Sequence, residues 1–356
     1  MTDYTKCPTH NLHKTWINNT KKAYLYERLS GDKVRCHLCP RQCIIPVNSV
    51  GFCKVRKNLS GELYALSYEK AVQITTEFIE TEAIFHYRPG ANILSLGNFG
   101  CNLNCMYCQN WNVSQFQFTS PDWIHTYSSN EVIQRAKKDN IEILSWTYND
   151  PVVWYEYVVD TAKKAREAGL KNLFKSAMYI GQDALTELTK HIDIFAVSIK
   201  AIDEDYYTSF TKGDLLPVLS ACEYLVKNHP EIHVEISNLV VTDLTNNLES
   251  YDKMIDFVLE KLGPEIPIHF TRFHPAYKYN HVPRTPVEDV ALARERALER
   301  GIKYAYVGNV FDHEGLNTYC PNCKNMLIKR YGLKSTIVDM TGNICNKCGS
   351  NILLKH

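Results

Sequence analysis

The chain has 356 residues, 45% of them hydrophobic, and its 40 basic and 39 acidic side chains leave a net charge of +1. This composition excludes a disordered chain and gives no support to a strongly electrostatic partner such as duplex DNA or an anionic membrane. No run of about eighteen apolar residues occurs, which excludes a membrane-spanning helix. Residues 1–16 lack the apolar core of a secretory signal, so a cytoplasmic protein is expected.

Eleven of the thirteen cysteines fall in three tight groups, and such spacing without a secretion signal reads as metal ligation rather than disulfides. The first group, Cys36, Cys39, Cys43 and Cys53, lies in an N-terminal Cys-rich metal-binding region taken as residues 1–85, of which 1–60 are loop-rich. Its irregular spacing suits zinc or a second iron–sulfur cluster, with structural zinc slightly favoured. Cys7, His10 and His13, at three-residue intervals, read as chance. Short β-like stretches follow at 62–66 and 71–78.

From about residue 90 short apolar runs alternate with amphipathic segments. The runs are 92–96, 141–146, 172–176, 192–199, 232–241, 266–270 and 303–307. Helices are expected near 130–139, 152–168, 182–190, 214–228, 247–261 and 287–300, with Gly169 and Gly301 at C-cap positions and Pro151 and Pro286 near helix starts. This alternation implies βαβ units and a parallel sheet, and six or seven units favour a complete or partial (β/α) TIM barrel over a two-layer domain, the α/β fold expected over residues 86–318 being of the partial (β/α)6 type. In such a barrel the chemistry lies at the C-terminal strand ends.

The first barrel strand runs into Gly97-Asn98-Phe99-Gly100-Cys101-Asn102-Leu103-Asn104-Cys105-Met106-Tyr107-Cys108. Three thiolates cannot complete a four-iron cubane, so one iron is left open for reactive chemistry. The glycines allow the backbone to wrap a bulky cluster, and Tyr107 could cover a nucleobase. These residues resemble the radical S-adenosylmethionine (SAM) enzymes, with their C-x3-C-x-aromatic-C pattern. The stretches HYRPGANILSLGNFGCNLNCMYCQNWNVSQ (86–115), CHLCPRQCIIP, SWTYNDPVVWYEY, PIHFTRFHPAYK and VGNVFDHEGLNTYCPNC narrow the likeness to the AmmeMemoRadiSam system radical SAM enzymes, relatives of pyruvate formate-lyase activating enzyme. The resemblance implies a 4Fe–4S cluster on Cys101, Cys105 and Cys108 whose open iron binds SAM. It also implies one-electron cleavage to methionine and a 5′-deoxyadenosyl radical that abstracts hydrogen, and a flavodoxin- or ferredoxin-type electron donor. The substrate is then a glycyl-radical protein, a small metabolite or a peptide.

Three strand ends depart from that family. The chain has Tyr148-Asn149-Asp150-Pro151 where the family reads Tyr-Asn-Glu-Pro. It has Lys175-Ser176-Ala177-Met178 where the family has Thr-Asn-Gly, and Ser198-Ile199-Lys200 where it has Asp-Leu-Lys. These changes point to retained SAM chemistry with a different substrate. Asn149 and Asp150 are candidates near the SAM ammonium, with Asp150 also suited to cap a helix at Pro151. Ser176 and Lys200 could reach the carboxylate or ribose. His233 and Glu235, two apart on a strand, share a face, and Glu235 is expected to point into the site. For substrate, Arg272 suits a carboxylate or phosphate, His274 a proton transfer, and Asn309 a close backbone approach.

Cys320-x2-Cys323-x21-Cys345-x2-Cys348, with a strand-like 335–338 between the pairs, reads as a zinc ribbon over 319–356, or alternatively an auxiliary cluster. Cys222 reads as a buried helix thiol. A competing hypothesis of another class is a zinc-dependent binding or assembly protein with structural cysteines throughout; it requires a colourless protein without iron.

Overall fold

The alternating runs become one eight-stranded sheet. In the computed structural model, which describes residues 20–115, 117 and 119–355, the sheet comprises β1 (Gln73–Phe78), β2 (Asn92–Gly97), β3 (Ile143–Thr147), β4 (Lys171–Ser176), β5 (Ile194–Ile199), β6 (His233–Val240), β7 (Ile268–Arg272) and β8 (Ala305–Gly308). Cys7, His10 and His13 lie outside the described residues. Spatial order follows chain order, with β2 to β8 paired in parallel and β1 antiparallel on β2. β1 and β8 remain edges, so the α/β barrel is partial. The sheet also begins at Gln73, ahead of the expected start at residue 86.

The crossovers carry α1 (Ser129–Lys138), α2 (Tyr155–Glu167), α3 (Gln182–Leu188), α4 (Leu215–Asn228), α5 (Leu248–Phe257) and α6 (Val287–Glu299). Local chemistry sets their ends. Ser128 and Glu131 form a reciprocal capping box on α1, and Asp150 accepts from Val152 N at the turn Pro151–Trp154 that leads into α2. Gly169 and Gly301 follow α2 and α6 with positive φ. The sequence pattern misses a helical turn at Glu204–Tyr206 and a wider turn at Tyr207–Thr211. No helix among the described residues is long and apolar enough to cross a membrane.

Strand periodicity sorts the barrel interior. Near the bottom, Ile93, Ile143, Leu173 and Ile194 pack with Ile79, Ile84 and Tyr87 from the β1–β2 connection. The same connection sends Glu82 further in, where its carboxylate accepts from Ser145 Oγ and Thr147 Oγ1, both at 2.9 Å. Above this lies the cavity.

The C-terminal module packs against the open side. Its hairpin, β9 (Met326–Tyr331) and β10 (Lys334–Ile337), carries the buried Arg330. Arg330 donates to Leu316 O, Thr318 Oγ1 and Phe85 O, and its guanidinium lies 4.0 Å from the Phe85 ring centre. His86 is clamped between module and barrel: its Nδ1–H donates to Leu353 O, and Nε2 accepts from the Tyr306 hydroxyl at 2.6 Å. Both contacts suit the neutral ring, and burial pushes its pKa down to about 4. Below the unfolded value of about 6.5 the unfolded chain binds a proton that the folded one refuses. Stability is therefore full above that value and falls as pH drops towards 4. A loss of about 2 kcal/mol between pH 7 and pH 5 is expected by urea unfolding. Its absence, or an equal slope in His86→Gln, would rule out this role.

Candidate iron–sulfur and SAM site

Cys101, Cys105 and Cys108 follow β2 on a loop held from several sides. Gly100 N donates to Val113 O, Asn104 N to Thr211 O and Met106 N to Phe210 O, so the unanticipated turn at Tyr207–Thr211 serves as a brace. Asn102 Nδ2 donates to Tyr179 O at 2.6 Å, and Arg41 Nε from the N-terminal module donates to Asn102 O at 2.7 Å. Two glycines are required by contact. A Cβ on Gly97 would sit 2.5 Å from Tyr148 Cδ2, and one on Gly100, at φ +78, would sit 2.6 Å from Cys53 O.

The three cysteines line one side of a cavity of about 1010 Å³ at the C-terminal strand ends, where chemistry concentrates in such barrels. Every described cysteine is a free thiol. Burial pushes the Cys105 thiol up to about 12 and raises those of Cys101 and Cys108. Such thiols become thiolates in exchange for a metal. Among the described residues the three sulfurs do not gather within 4.8 Å of one another, a spread too wide for one tetrahedral ion. The donor set and the glycine cradle therefore fit a cubane bound through three of its irons.

The expected residues divide by strand parity and depth. Tyr107, Asn149, Asp150, Ser176 and Lys200 all line the cavity. Asn149 Nδ2 donates to Gly100 O and Asn98 Oδ1, so it also shapes the cysteine loop. Asp150 accepts from Val152 N, Ser176 Oγ and Ala177 N, which makes it both cap and cavity wall. Burial raises its pKa. Lys200 brings a positive charge towards Cys105, Cys108 and Asp150.

Glu235 does not reach the cavity. It shares the inward face with Ser237 and Leu239, which do, but lies deeper and is saturated. Its carboxylate accepts from Phe85 N and His86 N and from His233 Nε2 and His269 Nε2, the last two at 2.8 Å. Arg272, expected at the substrate, does not line the cavity either. Thr271 faces the cavity, so the next side chain faces the helices, and Arg272 Nε donates to Thr285 O at 2.8 Å. Arg284 lines the cavity instead. His274 and Asn309 lie at the cavity, Asn309 with φ +56 and its side chain donating to Arg272 O.

Sequence reasoning missed Lys175 and Glu82. Lys175 lines the cavity and donates to Glu82 O at 2.7 Å; burial lowers its pKa to about 8, against the pull of Glu82. The signal was present, because Lys175 shares inward parity with Leu173 and stands next to Ser176 at the C-terminal end of its strand.

A partial barrel with three cysteines at the end of its first parallel strand defines a class of iron–sulfur enzymes. The profile of the radical SAM superfamily matches residues 97–258. An uncharacterized protein of Methanocaldococcus jannaschii is 41% identical over 336 residues, spanning 93% of this chain and 98% of the relative. The pyruvate formate-lyase-activating enzyme of Clostridium pasteurianum is 23% identical over 221 residues, 57% of this chain and 87% of that one. A solved radical SAM methyltransferase from Sphaerobacter thermophilus has a TM-score of 0.48 at 12% identity, covering 86% and 84% of the two chains. The chain belongs to the radical SAM superfamily.

Proposed function

We propose that the protein is a radical SAM enzyme of activating-enzyme type, with a 4Fe–4S cluster on Cys101, Cys105 and Cys108 and SAM and substrate in the adjoining cavity. The observation that carries this reading is the set of three half-buried, splayed thiols on the wall of a cavity of about 1010 Å³. When bound, the cluster supplies the electron that splits SAM into methionine and a 5′-deoxyadenosyl radical able to take hydrogen from a substrate. The chain's own residues hold and orient. Asp150 offers a carboxylate towards an ammonium, and Lys200 a cation towards a carboxylate. Tyr107 places an aromatic wall beside the last ligand. Lys175, His274 and Arg284 line the rest of the cavity together with Glu80 and Glu82, so a substrate meets charges of both signs there. A glycyl-radical protein fits the likeness to the activating enzyme, and the altered strand ends favour a small metabolite or peptide. A ferredoxin- or flavodoxin-type protein is the expected reductant.

The test is anaerobic. Reduced wild-type protein incubated with SAM should release 5′-deoxyadenosine, and a Cys101→Ala/Cys105→Ala/Cys108→Ala variant should release less than about a thousandth as much. Equal release from both proteins, or none from a wild type loaded with iron, would refute the assignment.

A further inference from the structure

Two sets of four cysteines lie outside the cavity, and they differ in spread. In the C-terminal set Cys320 Sγ is 3.5 Å from Cys348 Sγ, Cys323 Sγ is 3.7 Å from Cys345 Sγ, and all four sulfurs lie within 4.8 Å of one another. Four bonds of about 2.3 Å to one tetrahedral ion put sulfurs roughly 3.8 Å apart. That set is spaced for a single zinc-sized ion.

The N-terminal set is built differently. Cys36, Cys39, Cys43 and Cys53 line one cavity, yet among the described residues no three of their sulfurs gather within 4.8 Å. They surround a space instead of converging on a point, as four thiolates do round a cubane. The same cavity is lined by Arg41 and Arg56. Arg56 is 1% exposed; its Nη2 pairs with Glu156 Oε1 at 2.5 Å, while its Nε and Nη1, like Arg41 Nη2, are buried without a hydrogen-bond partner. Buried guanidinium donors left unsatisfied are costly. A cubane with four thiolates is anionic and carries sulfides that accept N–H bonds, so it would satisfy them.

We infer that Cys36, Cys39, Cys43 and Cys53 hold a second 4Fe–4S cluster, with every iron bound by thiolate, against the loop that carries Cys101. The proximity is structural: Cys53 O abuts Gly100, and Arg41 Nε, from the wall of this cavity, donates to Asn102 O. The inference goes beyond the SAM reading and does not require it.

Full-length protein is reconstituted anaerobically with ferrous iron and sulfide, as wild type and as the Cys101→Ala/Cys105→Ala/Cys108→Ala variant. Iron, sulfide and zinc are counted, and dithionite-reduced samples are examined by electron paramagnetic resonance with and without SAM. The wild type should hold about eight irons per chain, and the variant about four with a reduced-cluster signal that SAM does not shift. Cys53→Ser in the wild-type background should lower the count from about eight to about four. If Cys53→Ser does not fold, the triple variant still decides. A triple variant without iron, or with about two zinc ions per chain, overturns the inference. Retained iron in that variant together with failed SAM cleavage by wild type would refute the proposed function and leave this cluster standing.

Discussion

Replacing Glu235 with alanine is expected to cost about 3–5 kcal/mol of stability, a large share of what a domain has. Glu235 is fully buried and accepts from two backbone amides and two imidazoles. Burial alone would push its pKa up, but the hydrogen bonds from His233 and His269 hold it well below the ordinary carboxylate range. Removal strands four donors in a space closed to water. Glu235→Gln should fare almost as badly, because its NH2 would face N–H groups. The depressed pKa sets the sign with pH: the contribution is present above about 4.3 and is lost as pH falls below it. Urea unfolding at pH 7 is the measurement. A cost under about 1 kcal/mol for the alanine variant would show that water or repacking replaces the carboxylate.

Gly100→Ala should cost about 2–4 kcal/mol and empty the three-cysteine site of iron. A left-handed conformation is itself strained for alanine, and overpacking adds about 1–3 kcal/mol. The new methyl would meet Cys53 O at 2.6 Å and Val55 Cγ1 at 2.9 Å. The first contact is backbone, so no rotamer change relieves it. The loop must move, and with it the Cys101 ligand one residue on. Thermal unfolding and iron content measured together test the coupling. Normal iron at an unchanged melting temperature would mean that the cysteine loop tolerates displacement.

The barrel was legible because apolar strand runs and amphipathic helices have different periods. Ends shifted by a residue or two, as when the run at 266–270 became Ile268–Arg272. The longer C-terminal end brings Thr271 and Arg272 into the strand, where alternation puts Thr271 on the cavity side and Arg272 on the other. The cysteine loop, Asp150, Ser176 and Lys200 were legible as strand-end residues. Glu235 was not, because face can be read from alternation but depth cannot, and its amide donors come from Phe85 and His86, some 150 residues away. The Tyr207–Thr211 brace carries no capping or periodic signal of its own. The contrast between the two four-cysteine sets was also invisible, since spacing in sequence does not give the spread of sulfurs in space.

The β9–β10 hairpin joins the C-terminal cysteine module to the cavity wall. Gly332 and Leu333 at its turn form part of the cavity boundary, and Arg330 anchors it inside the barrel. The segment that forms this part of the cavity wall thus belongs to the module that carries four thiolates spaced for one ion. An ion held by those four thiolates would therefore steady one wall of the cavity from outside it.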